Sequence, residues 1–550
     1  MKLIMKKILL LSFLSVILLS TSCNKLLNED VRNQISNTYL NTPSGVDDGV
    51  RAGYSYLRGW YGQQSAGWLT VFGTDEYTNG NADPTYNNYT ANLNASSGVT
   101  TGVWNSLYQG VNTCNAVIDA AANVTGMDPI LKDTRVAEAR FLRAHYYFLL
   151  VQTFGPLHLT LHPTVGASTV ASRSPIADVY TAIINDLNFA VAHLPATASD
   201  YGRVNLAAAK HALAKVYLTR ATTTAAQSGD YAAAATLAKD VIATSGAKLL
   251  DDFAAIFAQG AGVRNSEVLW SCQFSTNPLT GGSNMAFLYF NNGYEGQPGM
   301  TRDLVNGRAY AHYRPTDYML GLYNKNYDSR FSKTFKTTWF CNKPGTYTIN
   351  GKSVALKLKD TAVVMLDHEI TAAQRNAIRY TVIAPSQYTT GLWPMNSKFQ
   401  DSLRTSVNST AGVKDFIIYR LGETYLIAAE ALYMSGKPTE ALPYVNTLRA
   451  RAAIVGPTSA ITQANINAMQ VTVADLSPDF FLDERARELS GEYMRWFDLT
   501  RTGKLLERVK KYNPVAAALI KPYHILRPIP QTQIDRTLGG ATSFPQNTGY

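Results

Sequence analysis

Cysteine is scarce: the 550-residue chain has four, and no two form a C-x-x-C pair. That excludes a zinc ribbon or a dithiol redox motif. Charge is also scarce, at 16% Asp, Glu, Lys and Arg, against ~25% in an ordinary soluble domain. A charge-rich disordered chain is thereby excluded, and a coiled coil is disfavoured. The formal net charge is +10, but no dense Lys/Arg run concentrates it, so no nucleic-acid partner is expected. Beyond the N-terminus no run is long and apolar enough to span a bilayer. P-loop, dinucleotide, G-x-S-x-G and H-E-x-x-H signatures are all missing. No cofactor is expected.

What is present is length, apolarity and tyrosine. Hydrophobic residues make up 46%, and 32 Tyr outnumber 20 Phe and 7 Trp. Tyr suits wet, amphipathic surfaces, because its ring packs while its hydroxyl stays solvated. The length suggests three or four units or one elongated repeat array. Residues 1–22 read as a secretory signal: Lys2, Lys6 and Lys7 precede the apolar stretch Ile8–Leu19, which is short for a bilayer span. Ser20-Thr21-Ser22 then leads into Cys23. Small residues before a cysteine predict lipidation at Cys23, and two or more acyl chains anchor stably where one does not. Leu19 stands four before the cysteine, one position off the strict lipobox. Cys114 falls in a helical pattern and reads as core; a Cys272–Cys341 bridge is conceivable after export but is not expected.

Residues 23–42 read as a tether and arm. Apolar residues then recur at three- and four-residue steps, predicting helices at Val46–Leu57, Val103–Ala122, Asp133–Phe154, Ser174–Leu194, Leu206–Ala221 and Tyr231–Thr244. A second pair follows at Gly422–Met434 and Thr439–Arg451. This pair resembles Leu206–Thr244: each joins small residues to large ones across a Gly-centred turn. That pattern predicts tetratricopeptide-like hairpins, which bury their faces only by stacking. Residues 62–100 carry loop chemistry. Residues 251–414 are irregular, with short β-prone runs at Val268–Trp270 and Tyr380–Ile383. A block of this kind inside a helical scaffold is more often functional than ornamental.

Five segments, in order, carry a family resemblance. They are Trp104-x-x-Leu107-Tyr108-x-x-Val111-Asn112-x-x-Asn115; Glu138–Phe148 with Phe154-Gly155-Pro156-Leu157; Arg420–Ala431; Glu484–Glu492 with Arg495 and Asp498–Arg501; and Pro528-Ile529-Pro530 with Gln546–Tyr550. Behind a lipoprotein signal, this set resembles the SusD/RagB family of outer-membrane nutrient-binding lipoproteins. The resemblance implies a mainly α fold, with four tetratricopeptide-like hairpins supporting an irregular ligand-binding half. One such domain would cover 43–550, with scaffold at about 43–250 and 415–510 and an insertion at about 251–414. It also implies a non-enzymatic role: capturing oligosaccharides at the cell surface, or peptides in some members, and delivering them to a SusC-like TonB-dependent barrel. A pure docking or adhesin scaffold is the other reading.

The charges in these motifs are expected to knit the scaffold, since Arg485, Glu488, Glu492, Arg495 and Asp498 alternate in sign at helical steps. Asp75-Glu76 are adjacent, which does not supply the separation that two glycosidase carboxylates need. His158 and His162 read as structural. Sugar binding needs rings for C–H faces and amides or carboxylates for hydroxyls. Two stretches supply both. The first is Asp75–Tyr89, with Asp75, Tyr77, Asn81, Tyr86, Asn87 and Tyr89; in the family the loop after the Asp-Glu pair contributes to the binding arc. The second is Phe287–Tyr294, with Phe287, Tyr289, Asn291 and Tyr294. About half of these rings are expected to pack inward. Trp339 and Trp393 are held in reserve, Trp104 reads as core, and residues 310–400 are the fallback region.

Overall fold

The computed structural model describes residues 37–277 and 279–550. The signal segment, Cys23 and the first part of the arm lie outside the described residues.

Helices dominate. We label the long ones α1 (Pro43–Ser55), α2 (Gly98–Ala121), α3 (Pro129–Phe154), α4 (Ile176–His193), α5 (Leu206–Arg220), α6 (Asp230–Thr244), α7 (Leu421–Met434), α8 (Pro438–Ala452) and α9 (Pro478–Leu489). Their ends follow local chemistry. The Asp128 side chain accepts from Leu131 N, with Pro129 in the first turn of α3. That helix stops at Gly155, whose φ of 75° few other residues adopt. Asn205 caps α5 through Ala208 N.

Each helix packs on the next, from α1 through α2 to α6, and α6 then packs on α7 and α7 on α8. The two look-alike pairs are therefore neighbours, although the irregular block separates them in sequence. Their shared interface is alanine-rich: Ala214, Ala234, Ala235, Ala238, Ala428, Ala429 and Ala441 meet Leu218, Ile427, Leu432 and Val445. Small faces let the helix axes approach while larger neighbours fill the gaps, which is how a stack of hairpins makes a continuous core.

The irregular block is held by short strands. Val268–Cys272 pairs antiparallel with Phe416–Arg420 just before α7. Tyr77–Asn79 pairs with Tyr313–Pro315. Thr338–Phe340, Thr361–Met365 and Thr381–Ile383 form a three-stranded sheet, and Gly345–Ile349 with Lys352–Leu356 a hairpin. Residues 62–100 depart from the loop expectation. They hold the helix Gln64–Thr70, the strand Tyr77–Asn79 and a helical turn at Thr85–Asn88, each fixed by distant partners that a local pattern does not reveal. Cys114, Cys272 and Cys341 are buried and free.

The motif charges cross between elements. Arg143 makes a two-pronged bridge to Asp186 (2.7 and 2.8 Å) and donates to Asn115, joining α3 to α4 and α2. Glu423 meets His211, Lys215 and Arg485. Arg420 reaches Glu267, Glu488 and Glu492. Arg501 clasps Glu430 at 2.6 and 2.8 Å. The knitting role expected of these residues is what the structure displays.

Candidate functional site

The two stretches singled out from the sequence lie side by side, but they do not present their rings to solvent. Asp75 is fully buried and bridged by Arg495 (2.7 Å at both carboxylate oxygens) and Arg508. The Tyr77 hydroxyl bonds Ser490 and Asn396, at 2.8 and 2.7 Å. Tyr86 bonds the Ser97 hydroxyl. Asn87 accepts from Gly73 N, and Tyr89 donates to Gly73 O at 2.7 Å while stacking on His524. Phe287 lies beneath the Arg404 guanidinium. Tyr289 stacks on His312, and Asn291 donates to Asn306 O. Tyr294 donates to Gly307 O and stacks on Trp339. These nine residues are buried, as are Trp339 and Trp393; only Asn81 is exposed. The reason is physical. A Tyr buried with its hydroxyl satisfied gains its full ring area, and here each hydroxyl found a partner. The expectation that half the rings would face outward is corrected: all of them pack inward.

Catalysis finds no purchase at Asp75-Glu76. Two arginines saturate Asp75, holding its carboxyl below the usual range against a large burial cost. Burial pushes Glu76 up to about 8 against the opposing pull of Arg495, 3.5 Å away. Among the described residues, no His, Cys, Asp and Glu group is arranged to hold a metal ion.

Beside the buried rings is a face built from Asn79 and Asn81 of the first stretch, from the fallback region 310–400, and from residues not singled out in the sequence, Gln64, Trp68 and Arg308. The Tyr77–Asn79 strand continues through Gly80 N to His312 O and Asn81 N to Ala311 O, both 2.7 Å. Gly293 N bonds Gly391 O at 2.7 Å. Loops 79–83, 291–293, 308–312 and 389–392 therefore converge. The half-exposed side chains there are Asn79, Arg308, Tyr310 and His312, with Asn81, Asp83, Thr389 and Thr390 exposed. Tyr310 lies 5.7 Å from His312, and the Arg308 guanidinium lies 5.3 Å over Tyr310. Gln64 Nε2 meets His312 Nδ1 at 3.2 Å. One helical turn on, half-exposed Trp68 leans on buried Tyr86. Burial lowers His312 to about 4, so at neutral pH the imidazole is an uncharged flat surface. The face offers rings, amides and hydroxyls on a rigid aromatic floor, the equipment that a neutral polyhydroxylated ligand requires. The signal available in sequence was Arg308-x-Tyr310-x-His312, whose period of two points alternate residues to one side.

A model described as "SusD family" matches residues 266–550. The chain belongs to the SusD family. A second model, described as "Starch-binding associating with outer membrane", matches residues 62–218. The chain is 25% identical to SusD-like protein P25 of Formosa agariphila, covering 96% of this chain and 97% of the relative. Similar solved structures include a laminarin-binding SusD-like protein (22% identity, TM-score 0.68, 92% of this chain and 100% of that one). A SusD homolog from Bacteroides thetaiotaomicron superposes with TM-score 0.70 at 19% identity, covering 96% of this chain and 100% of that one. NanU of B. fragilis superposes with TM-score 0.69 at 18% identity, covering 95% of this chain and 99% of that one. At such identities the likeness is one of fold, and the mostly helical SusD-like architecture matches it throughout.

Proposed function

We propose that this SusD-family chain is a non-catalytic, cell-surface glycan-binding lipoprotein. It captures oligosaccharides on the face formed by Trp68, Asn79, Asn81, Arg308, Tyr310 and His312, and delivers them to a SusC-like TonB-dependent barrel. The observation that carries the reading is that face: half-exposed rings interleaved with amides, on a floor of buried tyrosines. Of the residues first singled out, Asn81 belongs to the contact surface, while Tyr86 and Tyr289 are its floor. The solved relatives described as binding laminarin or surface glycans support a carbohydrate over other polyhydroxylated ligands.

Such shallow faces bind weakly, with micromolar to millimolar dissociation constants equivalent to roughly −8 to −4 kcal/mol. The test is titration with a panel of neutral oligosaccharides. Tyr310→Ala and Trp68→Ala, each with an unchanged melting temperature, should lose about 1 kcal/mol or more. Two variants that bind the cognate glycan as the parent does would remove the site from this face, and turnover of any panel member would make the protein an enzyme. The anchor is tested by fractionation. Cys23→Ala should leave the membrane pellet, and the native lipoprotein should bring down a large β-barrel from mild detergent; failure of both would sink the surface-delivery reading.

A further inference from the structure

A second concavity lies outside the glycan face. It is a cavity of about 340 Å³ between the end of α1 and the start of the irregular block, lined by Arg51, Arg58, Arg203, Tyr201, Ser271 and Gln273 among others. Its charges do not cancel. Arg203 is spent on Asp47, Glu138 and Asp200, and Arg51 on Asp47. Arg58 is different. Its Nε donates to Gln273 O (2.8 Å) and its Nη1 to Thr280 O (2.6 Å), and the guanidinium lies 6.0 Å from the Phe274 ring. Among the described residues it forms no ion pair within 4.0 Å; Asp415, which it attracts at longer range, accepts from Phe274 N and lies nearer Arg264. Two backbone carbonyls and an aromatic ring fix its direction, and among the described residues its Nη2 has no hydrogen-bond partner. Backbone carbonyls orient a guanidinium without neutralising it, so the edge left over is a pre-positioned receptor for a planar anion.

Tyr201 supplies the second element. The side chain is 41% exposed. Arg264 lies 4.6 Å over its ring, and its hydroxyl accepts from Ser271 Oγ at 3.3 Å. Polar groups for hydroxyls stand around it: Asp200, Ser271, and Gln273, whose Nε2 is buried in the wall without a partner. A neighbouring cavity of about 330 Å³ shares Asp200–Arg203 and Ser271, so the concavity continues past the ring. Its size suits one or two sugar units.

We propose that this concavity is a second binding site, for a carboxylate-bearing sugar residue such as a uronate. The carboxylate sits on Arg58, the sugar's C–H face lies against Tyr201, and its hydroxyls meet Asp200 and Ser271. The sugar class rests on the glycan-binding reading above; the demand for a carboxylate comes from Arg58 alone. The test is ligand-observed NMR on the full mature chain with a galacturonate or glucuronate trisaccharide, the matching neutral trisaccharide, and a short uncharged peptide with a free C-terminus. The uronate is expected to bind, weakening with added salt. Arg58→Gln should weaken it about tenfold or more, the loss of one charge-assisted contact. Tyr201→Ala, which leaves the carbonyl-anchored arginine in place, should weaken it several-fold, while Tyr310→Ala should leave it unchanged. Uronate binding untouched by both Arg58→Gln and Tyr201→Ala, or equal binding of the neutral sugar by the Tyr310→Ala chain, in which the first face is disabled, overturns the site. Equal binding of the peptide overturns the sugar class. Loss of neutral-glycan binding in Tyr310→Ala with uronate binding kept separates this site from the first.

Discussion

His145 shows what burial does to a single titratable group. It lies inside α3, accepting and donating between the Tyr61 hydroxyl (2.9 Å) and the Tyr419 hydroxyl (3.0 Å). Phe141, Tyr146 and Trp270 pack around the ring. Neither hydrogen-bond partner is a carboxylate, and burial together with the Lys215 ammonium lowers its pKa to about 3. The sign follows. In the unfolded chain the imidazole takes up a proton as pH falls through ~6.5, whereas the folded protein refuses it until near 3. The unfolded state therefore binds more protons throughout that window, and acidification costs stability. His145→Gln keeps a side chain able to bridge two hydroxyls but does not titrate. Denaturant melts at pH 7.5, 6, 5 and 4 should show the variant losing less stability on acidification than the parent, by on the order of 3 kcal/mol or more at pH 4. Parallel decline of the two would refute the assignment. The same residue-scale logic explains what the sequence could not disclose about the site. Composition singled out two stretches, because rings and amides crowd there. Orientation depended on partners far along the chain: Ser490 lies 413 positions from Tyr77, and Asn396 lies 319. A tyrosine is equally suited to a wet surface or a core, and only its hydroxyl's partner decides between them.

At the scale of elements, legibility divides by the range of the determining contacts. The long helices were readable to within about five residues, because apolar periodicity and stops such as Gly155 act locally; the Asp128 cap starts α3 at Pro129, four residues ahead of the expected Asp133. The similarity between α5–α6 and α7–α8 was readable too, because hairpins that stack carry the same small-against-large face. The short helix Gln64–Thr70 was not: it buries Ala66, Leu69 and Thr70 but is too short for a periodic signal. Nor was the pairing of Val268–Cys272 with Phe416–Arg420, since neither strand names its partner. The alanine face gives the element-scale prediction. Ala429 is fully buried in α7, in the cluster that joins it to α6. Ala429→Leu inserts three carbons where the helices already touch, and should cost about 1–3 kcal/mol. Ala232→Leu, on the exposed side of α6, should stay within about 0.5 kcal/mol. Thermal melts of the pair check it, and a parent-like melting temperature for Ala429→Leu would mean that the interface is looser than drawn.

At the scale of the whole molecule, the question is whether scaffold and irregular block are one cooperative unit or two. One hydrophobic cluster runs from Leu57 and Trp60 in the N-terminal helices, through Leu269, Phe290 and Tyr313 in the block, to Phe416, Trp496 and Phe544. The boundary is also crossed by buried ions. Arg330 in the block meets Glu484 (2.8 Å) and Glu488 (3.0 Å) on α9. Lys398 meets Glu492 at 2.8 Å, and Arg420 joins Glu267 to Glu488. Opening this boundary alone would take Glu492 from Lys398 and leave Arg330 with Asp328 as its one carboxylate among the described residues, at several kcal/mol for each broken buried pair. A half-unfolded state therefore forfeits shared core and gains stranded charge, so it should not accumulate. We expect the chain to give one calorimetric transition, with the van't Hoff enthalpy close to the calorimetric one. Two resolved transitions, or a calorimetric enthalpy about twice the van't Hoff value, would show that the block melts apart from the scaffold. Glu488→Gln sharpens the test. It withdraws a charge that Arg330, Arg420 and Arg451 share, so it should lower the single transition as a whole rather than split it. A new low-temperature shoulder in that variant would place the boundary's strength in this one carboxylate instead of in the common core.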